Sequence, residues 1–169
     1  MHTGLGLIDL LPDGRLRHVY HDTVSLGREA DFLARLRRIL EALSAAIDRF
    51  LPHEAAIERV FLARNADSAL KLGQARGAAL SALVLAGLKV EEYAPMQVKQ
   101  AVAGTGAAEK QQVQHMVRVL LSLPEVPQSD AADALAVAIA HAHVRQVGAR
   151  TGQTILPLRR RRGRMLRLT

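Results

Sequence analysis

A chain of 169 residues with 49% hydrophobic content suits one globular domain with a real core, and the absence of cysteine excludes both a disulfide framework and a thiolate metal site. No uninterrupted apolar run reaches the ~18 residues of a transmembrane helix, and the start MHTGLGLIDLLPDG lacks the basic n-region and cleavage site of a signal peptide, so a soluble intracellular protein is expected. The net charge of +7 is uneven: no acid follows Asp133 but eight arginines do, so residues 1–133 are near neutral and the basicity is a C-terminal tail.

In chain order, TGLGLIDLL (3–11) and RLRHVYHDTVSL (15–26) flank the turn sequence PDG and read as a β-hairpin. From Arg28 to Phe50, Phe32, Leu33, Leu36, Ile39, Leu40, Leu43, Ala46 and Ile47 recur at helical spacing, and Pro52 ends the helix. EAAIERVFL (54–62) is a strand with one internal acid. Asn65 or Asp67 can cap a helix running to Leu85, before Gly87. LKVEEYA is a further strand, Pro95 opens a short helix, and a helix follows over Ala107–Leu121. The final helix spans Ser129–Gln146, and a mobile tail is expected beyond Gly148. An antiparallel start followed by alternating strands and helices predicts an α/β fold, a mixed sheet with helices on both faces. One domain over 1–147 and a basic tail over 148–169 are expected. Such a tail favours polyanions, nucleic acid above all, or merely solubilises the chain end. An aromatic content of 3% argues against a single-strand binder built on base stacking.

Two groups of acids stand out. Glu58 lies inside an apolar strand, on the face of Ala56 and Val60, near the strand end where open α/β sheets bind ligands. It is either a ligand-binding acid or an edge charge and partner for Arg59. Asp130 and Asp133, spaced i and i+3, share one helix face. They either favour the positive end of the helix dipole or hold hard divalent cations. Such ions take one or two carboxylates with phosphate oxygens, and two of them about 4 Å apart can cleave a phosphodiester. His141 and His143 are two apart and do not share a face as zinc ligands would. GTGAAEKQQVQH lacks the ending of a P-loop, and Lys99 and Lys110 could meet phosphates or simply be solvated.

Three long blocks, IERVFLARNADSALKLGQARG, YAPMQVKQAVAGTGAAEKQQVQHMV and PQSDAADALAVAIAHAH, closely resemble the RuvC family of Holliday-junction resolvases, over about Thr3 to His143. The resemblance implies a ribonuclease-H-like fold and a cytoplasmic homodimer without membrane attachment. It further implies symmetric nicking of a four-way DNA junction in recombination and repair, with two Mg²⁺ ions per site that Mn²⁺ can replace, and the RuvA–RuvB branch-migration complex as partner. Glu58, Asp130 and Asp133 match the family's catalytic, metal-holding acids. Phe61 matches an aromatic that packs against bases at the crossover, and Lys99 and Lys110 match lysines near the scissile backbone. RNADSALKLGQARG resembles a loop and helix that approach DNA and help form the dimer, which makes Arg64, Asn65 and Arg76 expected DNA contacts.

One departure is large. The family opens with a strand holding an aspartate, followed by a strand beginning T-G-x-G, and this chain starts at the second of these. Asp9 follows TGLG and is not expected to replace the missing acid. The absent strand would be central, and each buried backbone group left unpaired costs about 1–3 kcal/mol against a total stability of about 5–15 kcal/mol. The sequence therefore leads to the expectation that the natural start lies upstream of Met1. The alternative is a catalytically impaired junction-binding protein, or a truncated fragment lacking one catalytic aspartate.

Overall fold

The computed structural model describes residues 2–25, 31–59, 66–151 and 164–168. The hairpin forms as β1 (His2–Leu10) and β2 (Leu16–Ser25), turning where Gly14 takes a φ of +87° and Asp13 accepts from the Arg15 backbone N–H at 3.0 Å. Helix α1 (Phe32–Phe50) begins where the Asp31 carboxylate accepts from Ala34 N at 2.6 Å, and it stops at Leu51, whose left-handed backbone turns the chain into Pro52. Strand β3 (Glu54–Glu58), helix α2 (Ala66–Leu85) and strand β4 (Lys89–Tyr93) follow, with β3 and β4 parallel neighbours at one edge of the sheet. Helix α3 (Pro95–Ala103) uses proline at its first position, where the missing N–H costs nothing, and ends at Gly104 with φ +77°. Helices α4 (Lys110–Leu120) and α5 (Ser129–Thr151) follow.

The sheet has helices on both faces, as expected. Leu5 and Leu7 of β1 pack with Ile39 and Leu43 of α1 and Leu83 of α2. Ile8, one residue along and therefore on the opposite face, packs with Val98, Val117, Leu135 and Ile139 of α3, α4 and α5. Helix α5, with its long alanine-rich apolar face, lies across β1 and is the central element of this second core. Among the described residues no helix is long and apolar enough to cross a membrane.

Helix α5 continues past Gly148 to Thr151, and Arg164–Leu168 form a fifth strand, β5. The sheet order is β2-β1-β5-β3-β4, with β5 antiparallel to β1 and parallel to β3. The C-terminal segment thus stands at the centre of the sheet, between β1 and β3. Its physical reason is the backbone ledger: without an occupant, β1 and β3 would each leave a row of amide and carbonyl groups unpaired inside the fold. Residues 152–163, and with them the RRRR run, lie outside the described residues.

Candidate active site

Strand register fixes which ends of the elements meet. Leu168 stands opposite Leu5 on β1 and Ile57 on β3, so the start of β1 and the end of β3 share one end of the sheet. Glu58, the last residue of β3, is at that end, level with Tyr93 of β4. Helix α5 starts there too: Gln128, just before it, accepts a hydrogen bond from the Thr23 hydroxyl, and Thr23 is paired with Gly4. The far end of α5 reaches the hairpin turn, where Gln146 Nε2 donates to the Gly14 carbonyl at 2.5 Å. Glu58, Asp130 and Asp133 therefore gather at one end of the sheet, where the parallel strands run out and where ligands bind in open α/β folds.

All three acids are half-buried. Asp130 sits in the first turn of α5, favoured by the helix dipole. Asp133 meets Lys110, with Nζ 3.1 Å from Oδ2. Lys110 is the first residue of α4, a position where the dipole disfavours a cation, so its carboxylate partner and not its own helix accounts for it. Lys99 is half-buried on α3, which packs against α5. Arg59 pairs with Glu92 at 3.8 Å, and Arg76 ties α2 to β4 through the same Glu92 at 2.8 Å. Phe61, Arg64 and Asn65 lie outside the described residues.

As donors for a hard cation, Asp130 and Asp133 have the right chemistry: two carboxylates one helical turn apart can hold one ion whose other ligands are phosphate and water oxygens. A larger set does not close. Among the described residues no three histidine or acidic side chains are grouped to share an ion. The central strand adds none, since no acidic residue follows Asp133. Asp9 is no substitute. It is 2% exposed, accepts from Arg17 Nε at 3.2 Å across the hairpin, and stands opposite Arg164, at the Glu54 end of the sheet and away from Glu58.

One cluster escapes a reading of the sequence. His141, 1% exposed, is bridged on both sides: Tyr93 Oη lies 2.7 Å from Nδ1, and Nε2 lies 2.9 Å from Glu54 Oε2. Arg145 Nη2 adds a 2.8 Å contact to Glu54 Oε1. A neutral imidazole satisfies the chain, accepting from Tyr93 and donating to Glu54. Burial pushes the Glu54 carboxyl up, but the His141 hydrogen bond and the Arg145 charge outweigh it, and its pKa ends below the usual value. Burial, with the Glu91 and Glu54 charges, pushes the Tyr93 hydroxyl up to about 12. The network pins α5 to β3 and β4 two to three turns behind Asp133. Its only signal in the sequence was a histidine in an otherwise apolar helix.

A match to the family described as Crossover junction endodeoxyribonuclease RuvC covers residues 1–141. The chain belongs to the RuvC family. A RuvC from Xylella fastidiosa (strain 9a5c) is 57% identical over 150 residues, covering 89% of this chain and 87% of the relative. One from Stenotrophomonas maltophilia (strain R551-3) is 55% identical over the same shares. Among solved structures, Thermus thermophilus RuvC is 39% identical with a TM-score of 0.79, over 87% of this chain and 90% of that one. The same protein in complex with a Holliday junction substrate gives a TM-score of 0.82 at 39% identity, over 88% and 90%. The ribonuclease-H-like fold expected from the sequence is the fold of these RuvC structures.

Proposed function

We propose that this chain is a structure-selective DNA endonuclease that resolves four-way junctions by symmetric phosphodiester hydrolysis, in recombination and repair. The observation that carries this reading is the convergence of Glu58, Asp130, Asp133 and Lys110 at the end of a RuvC-family sheet. The Thermus thermophilus relative bound to a Holliday junction substrate supports the substrate class.

In this reading Asp130 and Asp133 hold the divalent cation, Mg²⁺ with Mn²⁺ as substitute, and Glu58 stands at the same end of the sheet without closing a three-carboxylate set on that ion. The cation, once bound, lowers the pKa of a water and offsets charge on the phosphate. Lys110 orients Asp133 through their ion pair, and on substrate binding its ammonium is placed to meet the scissile phosphate. Lys99 backs it from α3. Phe61, Arg64, Asn65 and Arg76 are assigned DNA contacts on the family resemblance, and the arginine-rich C-terminal region adds affinity through counterion release. No covalent enzyme intermediate is needed. The exposed Leu70, Val84 and Leu85 of α2 support a homodimer, whose two sites would cut opposed strands. The reading also includes the RuvA–RuvB complex as partner and the cytoplasm as location.

Incubating the chain with a labelled four-way junction and Mg²⁺ tests this. Paired nicks at symmetric positions are expected. Gel retardation without nicks, at any Mg²⁺ or Mn²⁺ concentration, would refute the nuclease assignment.

A further inference from the structure

Glu54 and Glu58 close the two ends of β3, and strand alternation puts both on the face of Ala56, the face that packs with α5. Four residues of strand set them ~13 Å apart. Both ends of α5 touch the hairpin, Gln128 at Thr23 and Gln146 at Gly14, so the helix runs along the strands with its start at the Glu58 end. His141 lies eight residues beyond Asp133, ~12 Å at helical rise, and eleven beyond Asp130, close to three whole turns and so on the same stripe. The two spacings agree to within ~1 Å. A contact that sets His141 against Glu54 therefore sets Asp133 level with Glu58.

His141 makes that contact with little room to slide. Its side chain is 1% exposed, Nε2 lies 2.9 Å from Glu54 Oε2, and Nδ1 lies 2.7 Å from Tyr93 Oη. Tyr93 is in register with Glu58, and its carbonyl accepts from the N–H of Arg59, the next residue, at 2.7 Å. One imidazole thus holds the start of β3 through Glu54 and its end through Tyr93. The rest of the buried α5 surface is largely alanine: Ala131, Ala134, Ala138 and Ala142 let the helix lie close but leave sliding cheap. A slide by one residue displaces the ring by ~1.5 Å and spoils both hydrogen bonds at once. A buried polar junction of this kind specifies one arrangement where apolar contacts allow several.

We propose that His141 is a positioning residue of the candidate cation site, setting the register of α5 on β3 and so the placement of Asp130 and Asp133 relative to Glu58. The inference rests on the nuclease reading for the role of those acids, and it adds a residue that touches neither ion nor substrate.

The test compares three full-length variants. His141→Leu breaks both hydrogen bonds, whereas His141→Gln keeps an acceptor for Tyr93 and a donor for Glu54. Leu43→Ala opens the core on the opposite face of the sheet and lowers stability alone. Each is assayed at a temperature where circular dichroism shows it folded. In His141→Leu, Mn²⁺ binding without DNA, read from the free-ion electron paramagnetic resonance signal, should weaken about tenfold. Its single-turnover nicking should fall about 100-fold with junction retardation unchanged. His141→Gln should recover most of both losses, and Leu43→Ala should show neither. Where His141→Leu does not fold, the pair His141→Leu and Tyr93→Phe, which orphans no hydroxyl, takes its place. A natural chain that binds Mn²⁺ without nicking sinks the nuclease reading alone, since the Mn²⁺ affinities still rank the variants. A His141→Leu protein that keeps the parent's Mn²⁺ affinity, a Leu43→Ala protein that loses as much, or a parent that binds no Mn²⁺ overturns the positioning role.

Discussion

Gly6 is where α5 comes closest to the sheet. A Cβ built there would lie 2.9 Å from Leu135 N, 3.0 Å from Leu135 Cδ2 and 3.1 Å from Ala134 C. Two of these are backbone atoms, so no rotamer change relieves them. Restoring a contact of ~3.5 Å requires the helix to retreat by ~0.5 Å. Overpacking of this kind costs about 1–3 kcal/mol. For a chain of this size each kcal/mol moves the melting midpoint by about 2–4 °C, so Gly6→Ala should melt about 2–12 °C lower. The displaced turn carries Asp133, immediately before Ala134, out of register with Lys110 and with the end of β3. Misplacement by ~1 Å can cost ~100-fold in rate, so half that displacement should slow junction nicking about tenfold. Calorimetry and a single-turnover nicking assay read the two effects. Gly73→Ala is the control: a Cβ there meets nothing within 4 Å, and the α2 interior should gain up to about 1 kcal/mol. A Gly6→Ala protein that melts and nicks like the parent would refute the packing argument.

Lys110→Met should leave the melting midpoint within the effect of about 0–1 kcal/mol typical of exposed ion pairs, since Lys110 is 58% exposed. Its nicking rate should nevertheless fall about 100-fold with junction retardation preserved, and an unchanged rate would remove Lys110 from the site. Glu54, held below its ordinary pKa by His141 and Arg145 against the opposing effect of burial, contributes stability that is present above the unfolded carboxyl value and lost as pH falls through the lower folded one. Acid unfolding followed by circular dichroism should therefore be shallower in Glu54→Gln, and an identical acid limb would contradict the network. Tyr93 acts at the other extreme. With its hydroxyl raised to about 12 by burial and the nearby carboxylates, its contribution is complete below about 10 and disappears as pH climbs towards 12. Tyr93→Phe should lose stability at neutral pH, because Nδ1 of buried His141 loses its donor, yet show a flatter alkaline limb. A parallel alkaline limb would mean that another group controls it.

Periodic, capped elements were legible because local chemistry decides them. PDG sets the hairpin turn, Pro95 the start of α3, and the i, i+3, i+4 spacing from Phe32 to Ile47 the helix α1. Glu58, Asp130 and Asp133 were legible as a site only through long ordered blocks, because each acid alone also suits a strand edge or a helix start. What the sequence hid depends on partners distant in the chain. Glu54 looks like an ordinary exposed strand start until the fold brings His141 and Arg145 to it from α5, 87 and 91 residues away. RMLRL has neither the length nor the apolar run of an interior strand, and its charge marks it as tail. It becomes β5 because β1 and β3 already hold their positions through α5 and the helical layers, leaving two rows of backbone groups that any extended segment can pair. Backbone pairing to β1 and β3 is what the structure shows for this segment, and pairing of that kind with strands more than 100 residues away leaves no trace in its composition.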